Sequence, residues 1–170
     1  MPLVDKGSRP EVEIERTALH RALSLIGLLS LLLSVWFVWS SWGSLPETVY
    51  THFDASGTPN GAGPRLTIIL VPAVGLVLWI AIGLVIRRPR TFNYAVRITP
   101  ENAKAQYGIA IDLLEWTRAE TSLLMAYLGW AMVESTIHRA SLPGGYLLMA
   151  AAMGLMATVV IGMIRSVRAR

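Results

Sequence analysis

Residues 66–86 read LTIILVPAVGLVLWIAIGLVI, a run without one charged side chain. A hydrocarbon layer about 30 Å thick needs roughly 20 apolar residues of helix, because backbone amides in lipid can be satisfied only within the segment itself. The run therefore predicts a transmembrane helix, and three other segments follow it. A span over about 22–42 carries ALSLIGLLSLLLSVWFVW, a third covers about 121–137 with Glu134 near its end, and a fourth covers 146–164. With 54% hydrophobic and 15% charged residues, the chain is too apolar for an ordinary soluble domain. The expected class is an all-α membrane protein of four transmembrane helices, in one domain over 17–170 behind a polar tail at 1–16.

Charge in the connections predicts orientation, since lysine and arginine are retained on the cytoplasmic side. Lys6, Arg9, Arg16 and Arg21 precede the first span. Arg87, Arg88, Arg90, Arg97, Lys104 and Arg118 separate the second from the third, and Arg165, Arg168 and Arg170 follow the fourth. Only Arg65 and Arg139 fall on the other side. Both termini are thus expected in the cytoplasm, with the protein multi-pass in the bacterial cytoplasmic membrane. The bilayer accounts for the basic balance, so nucleic acid is not needed as a partner. The first span is longer than a signal-peptide core, and Trp36, Trp39 and Trp42 stand where small cleavage-site residues would be needed, so it reads as a retained anchor. The chain has no cysteine, which excludes disulfides and thiolate chemistry.

Between the second and third spans, residues 92–98 (FNYAVRI) read as irregular chain along the membrane surface. Thr99 is a suitable N-cap with Pro100 behind it, predicting a cytoplasmic extension of the third helix in which Glu101, Lys104, Asp112 and Glu115 face water. In the fourth span Ala150, Gly154, Thr158 and Gly162 recur every four residues, a stripe that favours close helix packing. Met149, Met153, Met156 and Met163, with Met125 and Met132, read as bundle filler. Trp79 and Trp130 read as helix packing, with a ligand cavity as the alternative.

The first two spans are joined by LPETVYTHFDASGTPN, residues 45–60, expected as a structured external loop. LPETV approaches a sortase signal but has Val49 in place of the required glycine. His52 and Asp54 on the loop, and Glu134 and His138 one helical turn apart, share one side of the membrane. That set offers two imidazoles and two carboxylates to a divalent metal such as zinc. The bland reading has Asp54 building a turn before Gly57 and Glu134 pairing at the interface. No phosphate loop, serine-nucleophile or HExxH motif is present, so catalytic residues are not expected and no cofactor is called for.

The loop resembles that of a bacterial membrane domain family of unknown function, found in the amino-terminal half of SdpI-like immunity proteins. The resemblance rests on Leu45, Pro46, His52, Phe53, Asp54 and Gly57. It extends to Asn93, Tyr94, Thr99, Pro100, Glu101, Asn102, Ala103, Gln106 and Tyr107 in the following link, while Ala62 departs where the family often has an aromatic residue. It implies a binding or accessory protein with an immunity or envelope-stress signalling role, whose partner is a peptide toxin or a membrane protein. Two other readings stay open: a structural subunit of a larger complex, as homo-oligomer or hetero-complex, and a metal-dependent membrane enzyme or transporter.

Overall fold

The computed structural model describes residues 9–170. Helix α1 (Ala18–Ser40) leads through a short 3-10 turn to strands β1 (Thr48–Phe53) and β2 (Pro59–Pro64). Helix α2 (Thr67–Val85), a second 3-10 turn, α3 (Ala103–His138) and α4 (Tyr146–Arg168) follow. Helices α1, α2 and α4 are each long and apolar enough to cross a membrane. Helix α3 packs against all three of them. At 36 residues it extends about 54 Å, well beyond a hydrocarbon layer. A helix surrounded by protein need not be apolar all round, which is why its polar residues do not prevent it from forming the bundle's centre.

Thr17 opens α1 with a reciprocal capping box: its hydroxyl accepts from the His20 amide, and its own amide donates to the His20 ring. The start of α3 lies later than the sequence suggests. Residues 99–102 make a turn in which the Thr99 amide donates to Asn102 Oδ1 (2.9 Å) and the Asn102 amide to Thr99 Oγ1 (3.4 Å), and helix begins at Ala103. Thr99 thus caps the turn that precedes the helix. The expected extension of the third helix is continuous with its apolar half.

The loop between α1 and α2 is an antiparallel hairpin, where the sequence suggested only turns. Register runs Thr48↔Pro64, Val49↔Gly63, Tyr50↔Ala62, His52↔Gly61 and Phe53↔Pro59, with irregularities on either side of His52. β1 (TVYTHF) has the β-branched and aromatic residues of a strand, but β2 (PNGAGP) is built from poor strand formers and is visible only through its partner.

Close helix approach also arises elsewhere than expected. A Cβ at Gly75 of α2 would lie 2.5 Å from Leu31 and 2.9 Å from Met125; one at Gly129 of α3 would lie 2.5 Å from the Ser34 hydroxyl. These glycines, with Gly27 against Ser122, let α1, α2 and α3 meet. Of the α4 stripe, Thr158 and Gly162 pack on α3, whereas Gly154 has open space beside it and Ala150 is exposed. The methionine expectation is corrected with it: Met132 is buried, but Met149, Met153, Met156 and Met163 lie on the outer surface of α4.

Residues 1–8 of the expected tail lie outside the described residues. Residues 9–16 lack helix or strand yet are tied down. Arg9 donates to the carbonyls of Arg90 (2.8 Å) and Phe92 (2.6 Å), Tyr107 Oη donates to Pro10 O (3.1 Å), and Glu11 pairs with Arg90.

Candidate functional site

At one end of the bundle the hairpin forms a cap. Val49 is fully buried in a cluster with Val38, Leu45, Ile68, Met132 and Val133, and Phe53 packs on its edge. Two backbone contacts fix the cap to the bundle: the Tyr50 amide donates to Thr136 Oγ1 (3.1 Å), and the Leu142 amide donates to Gly57 O (2.7 Å). Gly57 reaches that position with φ of +81°, the left-handed region that favours glycine. Leu45 is part of the cluster, while Pro46 is exposed just before the strand.

Asp54 is committed to its own turn. One carboxylate oxygen accepts from the Ser56 amide (2.8 Å), the Ser56 hydroxyl (2.6 Å) and the Thr58 amide (3.0 Å). These bonds, the Ser56 hydroxyl foremost, hold its carboxyl below the ordinary value of 3.8. A carboxyl with a depressed folded value stabilises the turn above its unfolded value, and that contribution is lost as pH falls through the folded one. The Ser56 and Thr58 amide resonances should therefore shift together only below pH 3.8, and Asp54→Asn should abolish that titration.

His52 is exposed and pairs through Nδ1 with Asn60 Oδ1 across the hairpin; a Cβ on the facing Gly61 would come within 2.9 Å of the His52 Cβ. Glu134 and His138 pair with each other at 3.3 Å. The structure does not assemble the proposed metal set: among the described residues, no three His, Cys, Asp or Glu side chains gather to hold an ion. Asp54 faces its own turn and His52 faces Asn60, so the loop and helix pairs remain separate.

The other end of the bundle holds a buried charged cluster. Glu115 is fully buried, paired with Arg16 and, at 3.6 Å, with Arg118. Arg118 donates to Trp79 O (2.8 Å) and Ser24 Oγ (2.9 Å), and its guanidinium lies 3.7 Å from the Trp79 ring centre. Trp79 Nε1 donates in turn to Ser24 O (3.1 Å), which draws that tryptophan into the polar network, and its side chain also lines an open cleft of about 290 Å³ with His20, Ser24 and Leu28. Buried His20 meets Asp112 at 2.8 Å, and Asp112 also accepts from Arg165 at 2.8 Å. The expectation of Glu115 in water is thus overturned. A visible signal existed: Glu115, Arg118 and Ser122 continue the spacing of Ile111, Met125, Gly129 and Thr136, so their polar side chains stand on the inward face of α3.

The fold and its two polar ends define a helical membrane protein with a hairpin cap. Residues 26–76 match the family model described as a domain of unknown function, DUF1648. That segment runs from within α1, through the complete hairpin, into α2, and so contains every loop position of the resemblance. It stops before the link at 93–107, and the match carries no connection to SdpI-like immunity proteins. No curated protein and no solved structure matches the chain.

Proposed function

We propose that the chain is an integral accessory or binding protein of the bacterial cytoplasmic membrane. In this reading all four helices cross the bilayer, both termini are cytoplasmic, and the hairpin is an external recognition surface. The observation that carries it is the docking of the hairpin through Val49, Tyr50 and Gly57 onto α3 and the segment after it. A loop held in this way presents His52, Asp54, Ser56 and Asn60 as a preordered polar surface, which lowers the ordering cost of engaging a peptide or protein. Positive-inside asymmetry supports the orientation. The most specific form of the proposal is SdpI-like immunity or envelope-stress signalling.

Deleting the gene and challenging cells with membrane-active peptides tests that form. Raised sensitivity restored by the wild-type chain, but not by a His52→Ala/Asn60→Ala variant of equal abundance, is the expected result. Unchanged sensitivity removes the immunity role.

A second reading, a structural subunit of a larger complex, is favoured by α4. Met149, Met153, Met156 and Tyr146 leave most of their surface outside the bundle. Purification in mild detergent with one stoichiometric large partner would select it.

A further inference from the structure

Between α3 and α4 runs a groove of about 250 Å³ whose walls include Asp112, Trp116, Glu120, Thr158, Gly162 and Arg165. Its charges do not balance. Asp112 and Arg165 neutralise each other at 2.8 Å, with His20 on the other carboxylate oxygen of Asp112. Glu120 forms no ion pair among the described residues. One of its oxygens accepts from Thr158 Oγ1 (2.7 Å), and the other is buried without a hydrogen-bond partner.

Thr158 lies ten residues, about 15 Å, before the end of α4 at Arg168, within the apolar run MATVVIGMI. A carboxylate at that level with a free buried oxygen is costly unless a positive charge completes it. Trp116, one turn from Glu120 on the same face of α3, keeps 44% of its surface exposed at the groove. A carboxylate beside an accessible indole is the donor set for an organic cation. A hard ion such as Mg2+ or Ca2+ would need about six oxygens, where the groove's side chains offer those of Asp112, Glu120 and Thr158 alone. A zinc-like ion would need a cluster of His, Cys or carboxylate ligands that is absent among the described residues.

We propose that the α3/α4 groove binds one organic ammonium ion, its charge on Glu120 and its alkyl groups against Trp116. The ion enters laterally from the membrane and brings the groove to neutrality. This site is independent of what the hairpin recognises.

Radiolabelled butyltrimethylammonium, equilibrated with the full chain in neutral-lipid nanodiscs and corrected for empty nanodiscs, tests it. One saturable site per chain is expected. Affinity should fall about tenfold or more in Glu120→Gln, the loss typical of a charged hydrogen-bonding partner, and several-fold in Trp116→Leu. Glu134→Gln should bind as wild type. Absence of saturable binding, or binding unchanged in Glu120→Gln, overturns the proposal. If Glu120→Gln does not fold, Glu120→Asp keeps the charge on a shorter stem and should still weaken binding.

A proton could neutralise Glu120 instead, and a hydrophobic carbodiimide distinguishes the two. The protonated carboxyl adds its O–H across the carbodiimide N=C bond, and the resulting O-acylisourea rearranges to a stable N-acylurea on the same residue. Slower Glu120 labelling under saturating butyltrimethylammonium, read by peptide mass spectrometry, supports the ammonium site. Labelling at an unchanged rate means that a proton alone occupies Glu120, and the proposal fails.

Discussion

Replacing Glu115 with alanine is expected to destabilise the bundle by about 3–5 kcal/mol, the usual loss when one partner of a buried ion pair is removed. The carboxylate is completely enclosed and serves two arginines. Arg16 is partly exposed and can turn to water once its partner is gone. Arg118 cannot, because Ser24, the Trp79 carbonyl and the Trp79 ring hold its guanidinium inside the bundle. The variant therefore leaves one cation buried with only neutral partners. Denaturation in detergent micelles followed by helical ellipticity measures the loss. A Glu115→Met/Arg118→Met double variant should lose less than the sum of its single variants, since removing both charges removes the uncompensated one. Additive losses would mean that the two side chains do not act as a pair.

The second large effect is local. Val49→Asp places a carboxyl in the apolar cluster between Leu45, Ile68 and Val133. Loss of valine burial alone costs about 1.5–3 kcal/mol, and desolvating the new polar group adds to it. The cap joins the bundle through few contacts, so the expected outcome is release of the hairpin while the helices stay folded. Protection of the Tyr50 and Leu142 amides against hydrogen exchange should fall about 100-fold or more, as about 3 kcal/mol implies, with the α2 and α3 amides little changed. Equal loss of protection throughout the chain would show that the cap and the bundle unfold as one unit.

The apolar helices α1, α2 and α4 were legible because lipid imposes length and continuity on every residue. So was the extension of the third helix, through the Thr99–Pro100 start signal, although its first turn forms a few residues later. The hairpin was hidden because Pro59, Asn60, Gly61, Ala62, Gly63 and Pro64 carry no strand pattern of their own. They pair with β1 because two glycines and an alanine let its larger side chains approach. The inward face of Glu115 and Arg118 was legible in their spacing with Ile111 and Ser122, but their partners were not. Charge on a helix outside an apolar run ordinarily means solvent, and only knowledge of the facing helices reveals that Arg16, Ser24 and Trp79 occupy the opposite side. The four-residue stripe of α4 misled in the reverse direction: spacing predicted close packing along the whole stripe, but of its four members only Thr158 and Gly162 pack on α3.

The claim on which the functional reading depends is that the hairpin faces outward while the start of α3 faces the cytoplasm. The natural chain has no cysteine, so single substitutions report without background. Ala55→Cys in the hairpin turn and Ala105→Cys in the first turn of α3 are both at exposed positions. Treating intact cells with a membrane-impermeant maleimide should label Ala55→Cys directly and Ala105→Cys only after permeabilisation. Labelling of Ala105→Cys in intact cells, with Ala55→Cys protected until permeabilisation, would place the cap inside the cell and contradict the account.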